Sequence, residues 1–206
     1  MGGNHKQAVQ LYQWNVSMSG AMYEALHIFE VVLRNAMDSQ LCKWNATQKN
    51  ESGQPHREDW LMDPSQLLRR LVKPEEFDKA KRRARRAVGS RPVGHSDVLA
   101  QINLGTWRFL FPDSDPGRQL LWREALRYAF PHTARPEAEL AAAVAAIHFM
   151  RNRVAHLEPL IKTPAVRAQF DNMRRVLGEI DPAAEQWFVS NQRVTPQIKS
   201  RPIPTS

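Results

Sequence analysis

The sequence predicts an all-α protein, and three observations support that prediction. Apolar residues recur at three- and four-residue spacing in most segments. Alternation of apolar and polar residues, which marks strands, is scarce, and so are hairpin turn pairs. The run LAAAVAA at residues 140–146 has the highest helix propensity in the chain. We therefore expect a helical bundle with additional helices, and 206 residues are enough to bury one core.

The N-terminal half contains three predicted helices and one loop. The first helix presents an apolar face made of Met22, Leu26, Phe29, Leu33 and Met37. Residues 45–59 are polar and contain Gly53 and Pro55, which indicates a loop. A short second helix over residues 67–72 follows the capping-like sequence Asp63-Pro64-Ser65, and a third spans residues 74–87.

The C-terminal half contains four predicted helices, over residues 97–111, 117–130, 137–157 and 163–180. Gly105 makes the first of them irregular. Pro136 suits the first position of the third, and Pro159 ends it. We expect a flexible N-terminus over residues 1–9, one domain over residues 10–181, and a proline-rich, largely disordered tail over residues 182–206.

Composition and charge narrow the class of partner. The formal net charge is +8 and the sequence pI is about 10.1, which favours a polyanion such as RNA. Cys42 is the single cysteine, which excludes an internal disulfide and a cysteine-rich zinc site and indicates a reducing compartment. No signal-like or membrane-spanning apolar run is present. We expect a soluble cytoplasmic protein with no membrane partner.

The most informative motif is Arg151-Asn152-Arg153-Val154-Ala155-His156, at the end of the alanine-rich helix. On a helix Asn152 and His156 lie roughly 40° apart, so their side chains can touch. Arg151 lies about 140° around from His156. Only its long side chain could bring the guanidinium to the same pocket, or to a pocket shared with a second subunit.

These residue types fit metal-free cleavage of RNA by its own 2′-hydroxyl. That reaction needs a base, an acid and positive charge on the phosphorane oxygens. Histidine takes either proton role near neutral pH, and arginine offers a planar fork of donors to phosphate. Asparagine can orient the imidazole or bind the phosphate. The alternative is structural: Arg151 and Arg153 are solvated helix-end arginines, and His156 is a C-terminal capping residue.

Three segments in order resemble the abortive-infection (Abi-like) proteins of the HEPN superfamily. They are residues 12–17 leading into 23–35 with the core Glu30-x-x-x-Arg34-Asn35, residues 98–110 with Leu104-Gly105-Thr106-Trp107, and the motif with its tail Glu158-Pro159-Leu160-Ile161. One departure is Leu157, where many relatives carry a second histidine. Another is Glu158, where a related toxin group carries a tyrosine.

The resemblance implies a HEPN-like bundle and a metal-independent endoribonuclease that leaves 2′,3′-cyclic phosphate ends. The resemblance further implies that such an enzyme acts as a toxin or an anti-phage abortive-infection effector. The catalytic residues would be Arg151, Asn152 and His156, with Glu30 and Arg34 in support. It also implies an isologous homodimer, RNA as the substrate, an antitoxin or a phage-derived trigger as a further partner, and no cofactor.

A second basic feature is the run from residue 79 to residue 86. With Arg153 it supplies the candidate RNA-binding residues, Lys79, Lys81, Arg82, Arg83, Arg85 and Arg86. The alternative is a solvated helix face. The histidines at positions 27, 95, 132 and 148 show no metal-ligand spacing, so no metal site is predicted.

Two other classes of function remain open. The motif pocket could bind a nucleotide or an RNA end without cutting it, or the chain could be a helical interaction protein whose motif serves packing. Activity on RNA in the presence of a chelator separates the first class from these two. A thermal shift with nucleotides separates the binding module from the interaction protein.

Overall fold

The computed structural model describes the backbone of residues 2–202 and the side chains from residue 5 onward. Over this range the chain is all-α, as predicted, with only an isolated β-bridge between Lys49 and Pro55. None of the described helices is both long and apolar enough to cross a membrane. The helices are α1 Gly2–Thr47, α2 Gln66–Val72, α3 Pro74–Val88, α4 His95–Leu99, α5 Leu104–Phe109, α6 Pro116–Glu124, α7 Glu137–Ala155, α8 Thr163–Ile180, α9 Pro182–Asn191 and α10 Val194–Lys199, with a 3-10 turn at Leu126–Ala129.

The described chain divides into two compact units, a division that the sequence did not predict. One unit comprises the chain up to Leu33 together with the chain from Ala142 onward, and the other is Arg34–Ala141. Helices α1 and α7 each contribute to both units. Residues 151–156, the motif singled out in the sequence, belong to the first unit and the basic run to the second.

In the first unit, α1 is tied to the C-terminal helices. The indole Nε1 of Trp14 donates to the carbonyl oxygen of Gln197 at 2.7 Å. Phe170 of α8 stacks on Phe188 of α9 with ring centroids 5.2 Å apart. These contacts bury aromatic surface, which stabilises helices too short to be stable alone.

The expectation of a disordered tail is wrong for residues 182–199. Asp181 caps α9 by accepting from the backbone amide of Ala183 at 2.8 Å, and Pro182 occupies the first turn. Phe188 and Val194 are fully buried. The proline content suggested disorder, but a proline in the first turn of a helix starts it instead. The N-terminal expectation also differs, since α1 already begins at Gly2. The expectations for residue 1 and residues 203–206 lie outside the described residues.

The second unit is built on two aromatic groups. Trp60 meets Phe77 and Trp107 edge to face, with centroids 5.8 Å and 6.0 Å away. Trp122 and Phe130 form the other group, with centroids 5.8 Å apart. The predicted helix 97–111 is two helices in the structure, because Asn103 caps α5 by accepting from the amide of Thr106.

The loop after α1 is organised by one buried asparagine. The Asn45 side chain donates to the carbonyl oxygens of Arg57 at 2.6 Å and of Asp63 at 2.9 Å. Its own oxygen accepts from the amide of Ser65 at 2.9 Å. The loop between α1 and α2 is therefore anchored to the helix before it.

Candidate functional site

The motif lies at the C-terminal end of α7. The helix ends at Ala155, and the amide of His156 still donates to the carbonyl oxygen of Asn152 at 2.9 Å. Leu157 adopts a positive φ of 58°, and its amide donates to Val154 at 3.2 Å. The amide of Glu158 reaches back to the carbonyl of Arg153 at 2.9 Å. This pair of bonds is a Schellman closure, so His156 is the C-cap residue.

The turn after the helix is held on both sides. The Arg153 guanidinium contacts a carboxylate oxygen of Glu158 at 3.0 Å and the carbonyl oxygen of Pro159 at 2.7 Å. The amide of Leu160 donates to the side-chain oxygen of Asn15 at 2.7 Å, which ties the segment to α1. Arg153 was predicted to contact RNA. In the structure its guanidinium holds this turn.

His156 itself is exposed, whereas Arg151 and Asn152 are half-buried. The Arg151 Nη1 lies 3.5 Å from the side-chain oxygen of Asn152, a long contact. Arg151 also lines a small cavity of about 90 Å³ against α1. The cavity lining does not include His156, which agrees with the wide helical angle expected between the two residues.

Helix α1 brings a histidine to this cavity that sequence reasoning did not assign to the site. The lining residues are Tyr23, Leu26, His27, Glu30, Arg151, Val154 and Ala155. Tyr23, His27 and Glu30 are spaced by four and three residues, so they share one face of α1. That spacing was available in the sequence, but nothing there indicated that this face meets Arg151.

Glu30 and Arg34, the two residues predicted to support the motif, differ in their position relative to the cavity beside Arg151. Glu30 lines the cavity beside Arg151. The Nε of Arg34 donates to the side-chain oxygen of Asn35 at 3.4 Å. Of this predicted pair, Glu30 is the one in the cavity.

The basic run forms the exposed face of α3. Lys79 pairs with Glu76 at 2.7 Å. Within the described part of the chain, the other five basic residues of the run form no ion pair. Four of them, Lys81, Arg82, Arg85 and Arg86, line an open groove of about 420 Å³ with Met62 and Val93. The fifth, Arg83, is exposed outside that lining. The face therefore offers positive charge that is not neutralised within the second unit.

A separate polar cluster lies in the second unit, where the sequence predicted no metal site. The two carboxylate oxygens of Asp38 lie 3.0 Å from the Nε2 of His95, and the indole of Trp60 donates to Asp38 at 2.7 Å. The Nδ1 of His95 lies 2.7 Å from a carboxylate oxygen of Asp59. The Sγ of Cys42 is 4.0 Å from both Asp38 and His95.

The surroundings shift the acid–base behaviour of this cluster. Burial acts to lower the pKa of His95, but the hydrogen bonds to Asp59 and Asp38 outweigh it and raise that pKa above its ordinary value. Burial, with the nearby charge of Asp38, raises the pKa of the Cys42 thiol to about 12. Both shifts follow from negative charge concentrated in a partly buried space.

Comparison of the chain with protein-family models, with curated proteins and with solved structures found no match. Over the described residues, the structure itself defines an all-α protein with two compact helical units. The resemblance to Abi-like HEPN proteins stays a prediction based on the motif residues.

Proposed function

We propose that this protein is a metal-independent endoribonuclease of the HEPN type that acts as a toxin or abortive-infection effector. The observation that carries the proposal is the end of α7, where Arg151 and Asn152 lie near the end of the helix and His156 is the exposed C-cap residue. An arginine and a histidine thus lie about one and a half helical turns apart, and the histidine is accessible to a polymer.

The chemistry assigns a role to each residue. His156 transfers a proton at the 2′-oxygen or at the leaving 5′-oxygen, because imidazole exchanges protons near neutral pH. Arg151 stabilises the charge that builds on the phosphorane oxygens, which is where electrostatic stabilisation contributes most. Asn152, one turn before His156 on the same stripe, binds phosphate or orients the imidazole. The 2′-hydroxyl loses its proton and its oxygen bonds to phosphorus, while the P–O5′ bond breaks and O5′ gains a proton. The products are a 2′,3′-cyclic phosphate end and a 5′-hydroxyl end.

Arg151 lines a cavity of about 90 Å³ against α1. A guanidinium in this position can donate to the oxygens of a backbone phosphate.

The proposal includes an isologous homodimer in which each site combines Arg151 of one subunit with His156 of the other. Phe149 is 67% exposed and lies on the same helical stripe as Asn152 and His156. An interface between copies along this stripe would bury it. Cleavage needs two proton transfers, and His156 can carry out one of them. His27 is the candidate for the other transfer within one subunit, since it lines the Arg151 cavity.

The first experiment measures cleavage of a labelled RNA in excess EDTA and identifies the product ends. We expect activity to persist and the ends to be 2′,3′-cyclic phosphates. His156→Ala should reduce the rate by at least ~10²-fold, the usual effect of losing an acid–base group. The matched control is His132→Ala, since His132 is also exposed but lies in the second unit. Equal rates for His156→Ala and the wild type, after host nucleases are removed, would refute the proposal.

A second experiment tests the shared site. Arg151→Ala and His156→Ala are each expected to be inactive alone. When the two are mixed and exchange subunits, half of the dimers are mixed and each has one complete site, so about a quarter of the wild-type activity should return. No recovery, with both variants shown to be dimeric, would exclude a shared site. It would favour a site within one subunit, with His27 as the other proton-transfer group.

A further inference from the structure

The polar cluster of the second unit brings together residues that are distant in sequence. Asp38 and Cys42 are four residues apart on α1, so their side chains share a face. His95 is the first residue of α4, and helices α2 and α3 lie between α1 and α4 in the sequence. One ligand atom from each residue lies within 4.8 Å of the other two. These are a carboxylate oxygen, a thiol sulfur and an imidazole nitrogen.

We propose that Asp38, Cys42 and His95 form a binding site for a divalent transition-metal ion of the zinc type. The donor set selects the class of metal. Sulfur and imidazole ligands suit zinc and its borderline neighbours, whereas magnesium and calcium take oxygen ligands. A lone thiol or an acidic cluster would not define such a site, but three different donors from two helices do.

Two further contacts resemble the outer shell of a metal site. A metal-bound histidine usually donates its other ring nitrogen to a carboxylate, which fixes the ring and its tautomer. Here the Nδ1 of His95 lies 2.7 Å from Asp59, which leaves Nε2 directed at Asp38 and Cys42. The indole of Trp60 holds one oxygen of Asp38 at 2.7 Å, so the other oxygen is available as a ligand.

The separations fit a tetrahedral ion after small shifts. With zinc bond lengths of about 2.0–2.3 Å, tetrahedral ligands lie about 3.4 Å apart for N···O and about 3.5 Å apart for S···N. The corresponding distances here are 3.0 Å between Asp38 and His95 and 4.0 Å between Cys42 and His95. Side-chain movements of roughly half an ångström would satisfy the geometry, without any change in the backbone.

Three protein ligands leave the fourth position to a solvent molecule. The His95 side chain is 26% exposed, so an ion can enter from that side. The bound ion would join α1 to α4 and, through Asp59, to the loop between α1 and α2. The site lies wholly in the second unit and is independent of the proposed ribonuclease chemistry.

The test titrates the untagged, metal-free full chain with Co²⁺ alone and records its absorption spectrum. The expected result is one ion per chain, a thiolate-to-cobalt charge-transfer band, and visible bands of tetrahedral intensity that Zn²⁺ abolishes. Cys42→Ser should lose the charge-transfer band, and His95→Ala should weaken binding by at least tenfold. His132→Ala is the matched control and should bind like the wild type.

Thermal unfolding of the wild type with and without Zn²⁺ keeps the proposal testable if either variant fails to fold. Specific binding to the folded state raises the transition temperature as the Zn²⁺ concentration rises, whereas Mg²⁺ should have no effect. The proposal is overturned if the wild type shows no charge-transfer band, or if Cys42→Ser shows the same band. In that case the cluster is a histidine held between two carboxylates.

Discussion

Replacement of Leu157 by glycine should stabilise the protein. Leu157 has a φ of 58° in the closure that ends α7, and its side chain is 85% exposed. Glycine is the usual residue at this position of a Schellman closure, because it has no Cβ to clash with the backbone. The side chain of Leu157 therefore strains the backbone without contributing much packing.

The magnitude follows from three contributions. The left-handed conformation costs an ordinary residue about 1–2 kcal/mol. Glycine offsets about 0.4–1 kcal/mol of this gain, because it increases the conformational entropy of the unfolded chain. The lost burial is small, roughly 0.3 kcal/mol, because a fully buried leucine contributes about 1.5–3 kcal/mol and Leu157 is mostly exposed. Together these contributions predict that Leu157→Gly raises the free energy of unfolding by roughly 0.5 kcal/mol.

Leu157→Ala is the matched control, since alanine also lacks the leucine side chain but keeps the Cβ. Its stability should equal that of the wild type or fall slightly. The assay is urea unfolding followed by circular dichroism, with the midpoints of all three proteins compared at one pH. If the alanine variant is as stable as the glycine variant, the strain at Leu157 is not the cause and the reasoning is refuted.

Three further predictions concern the second unit. Asn45→Ala removes three hydrogen bonds of a buried side chain and should lower the free energy of unfolding by about 3 kcal/mol, at about 1 kcal/mol each; a urea midpoint equal to that of the wild type would contradict this. The hydrogen bonds from Arg70 lower the pKa of Asp115 below its ordinary value of 3.8, so the stability they contribute is present above pH 3.8 and is lost as the pH falls below it. The difference in urea midpoint between the wild type and Asp115→Asn should therefore shrink in acid; a difference independent of pH would count against it. The double variant Arg82→Gln/Arg85→Gln should weaken RNA binding. It should also reduce the slope of log binding constant against log salt concentration by about 1.4, the value for two contacts with single-stranded phosphate. An unchanged slope would exclude this face as an RNA-binding surface.

Local chemistry made much of the fold predictable. The spacing of Met22, Leu26 and Phe29 predicted α1, and all three are buried in the structure. The prolines at 136 and 159 bracketed α7, because proline suits a first turn and disfavours helix in the residue before it. Fold class and most helix positions depend on neighbours within a few residues, so the local sequence is enough to predict them.

Elements that depend on distant partners were not predicted from the sequence. Helix α9 forms where proline content suggested disorder, and Phe188 is buried against Phe170 of α8. Residues 97–111 divide into α4 and α5 because Asn103 caps a new helix inside the predicted one. Composition describes a segment alone, whereas its stability is decided by the surface on which it packs.

For the candidate sites, the sequence by itself determined which residue types are present, and the tertiary structure decided which of them meet. Arg151, Asn152 and His156 are neighbours through the helical repeat, so their grouping was predictable. His27 lies beside Arg151 only because α1 meets α7 in the first unit. Asp38 and His95 are 57 residues apart and are brought together only when α4 packs near α1. No short-range pattern encodes such a meeting, since it results from burial of apolar surface elsewhere in the unit.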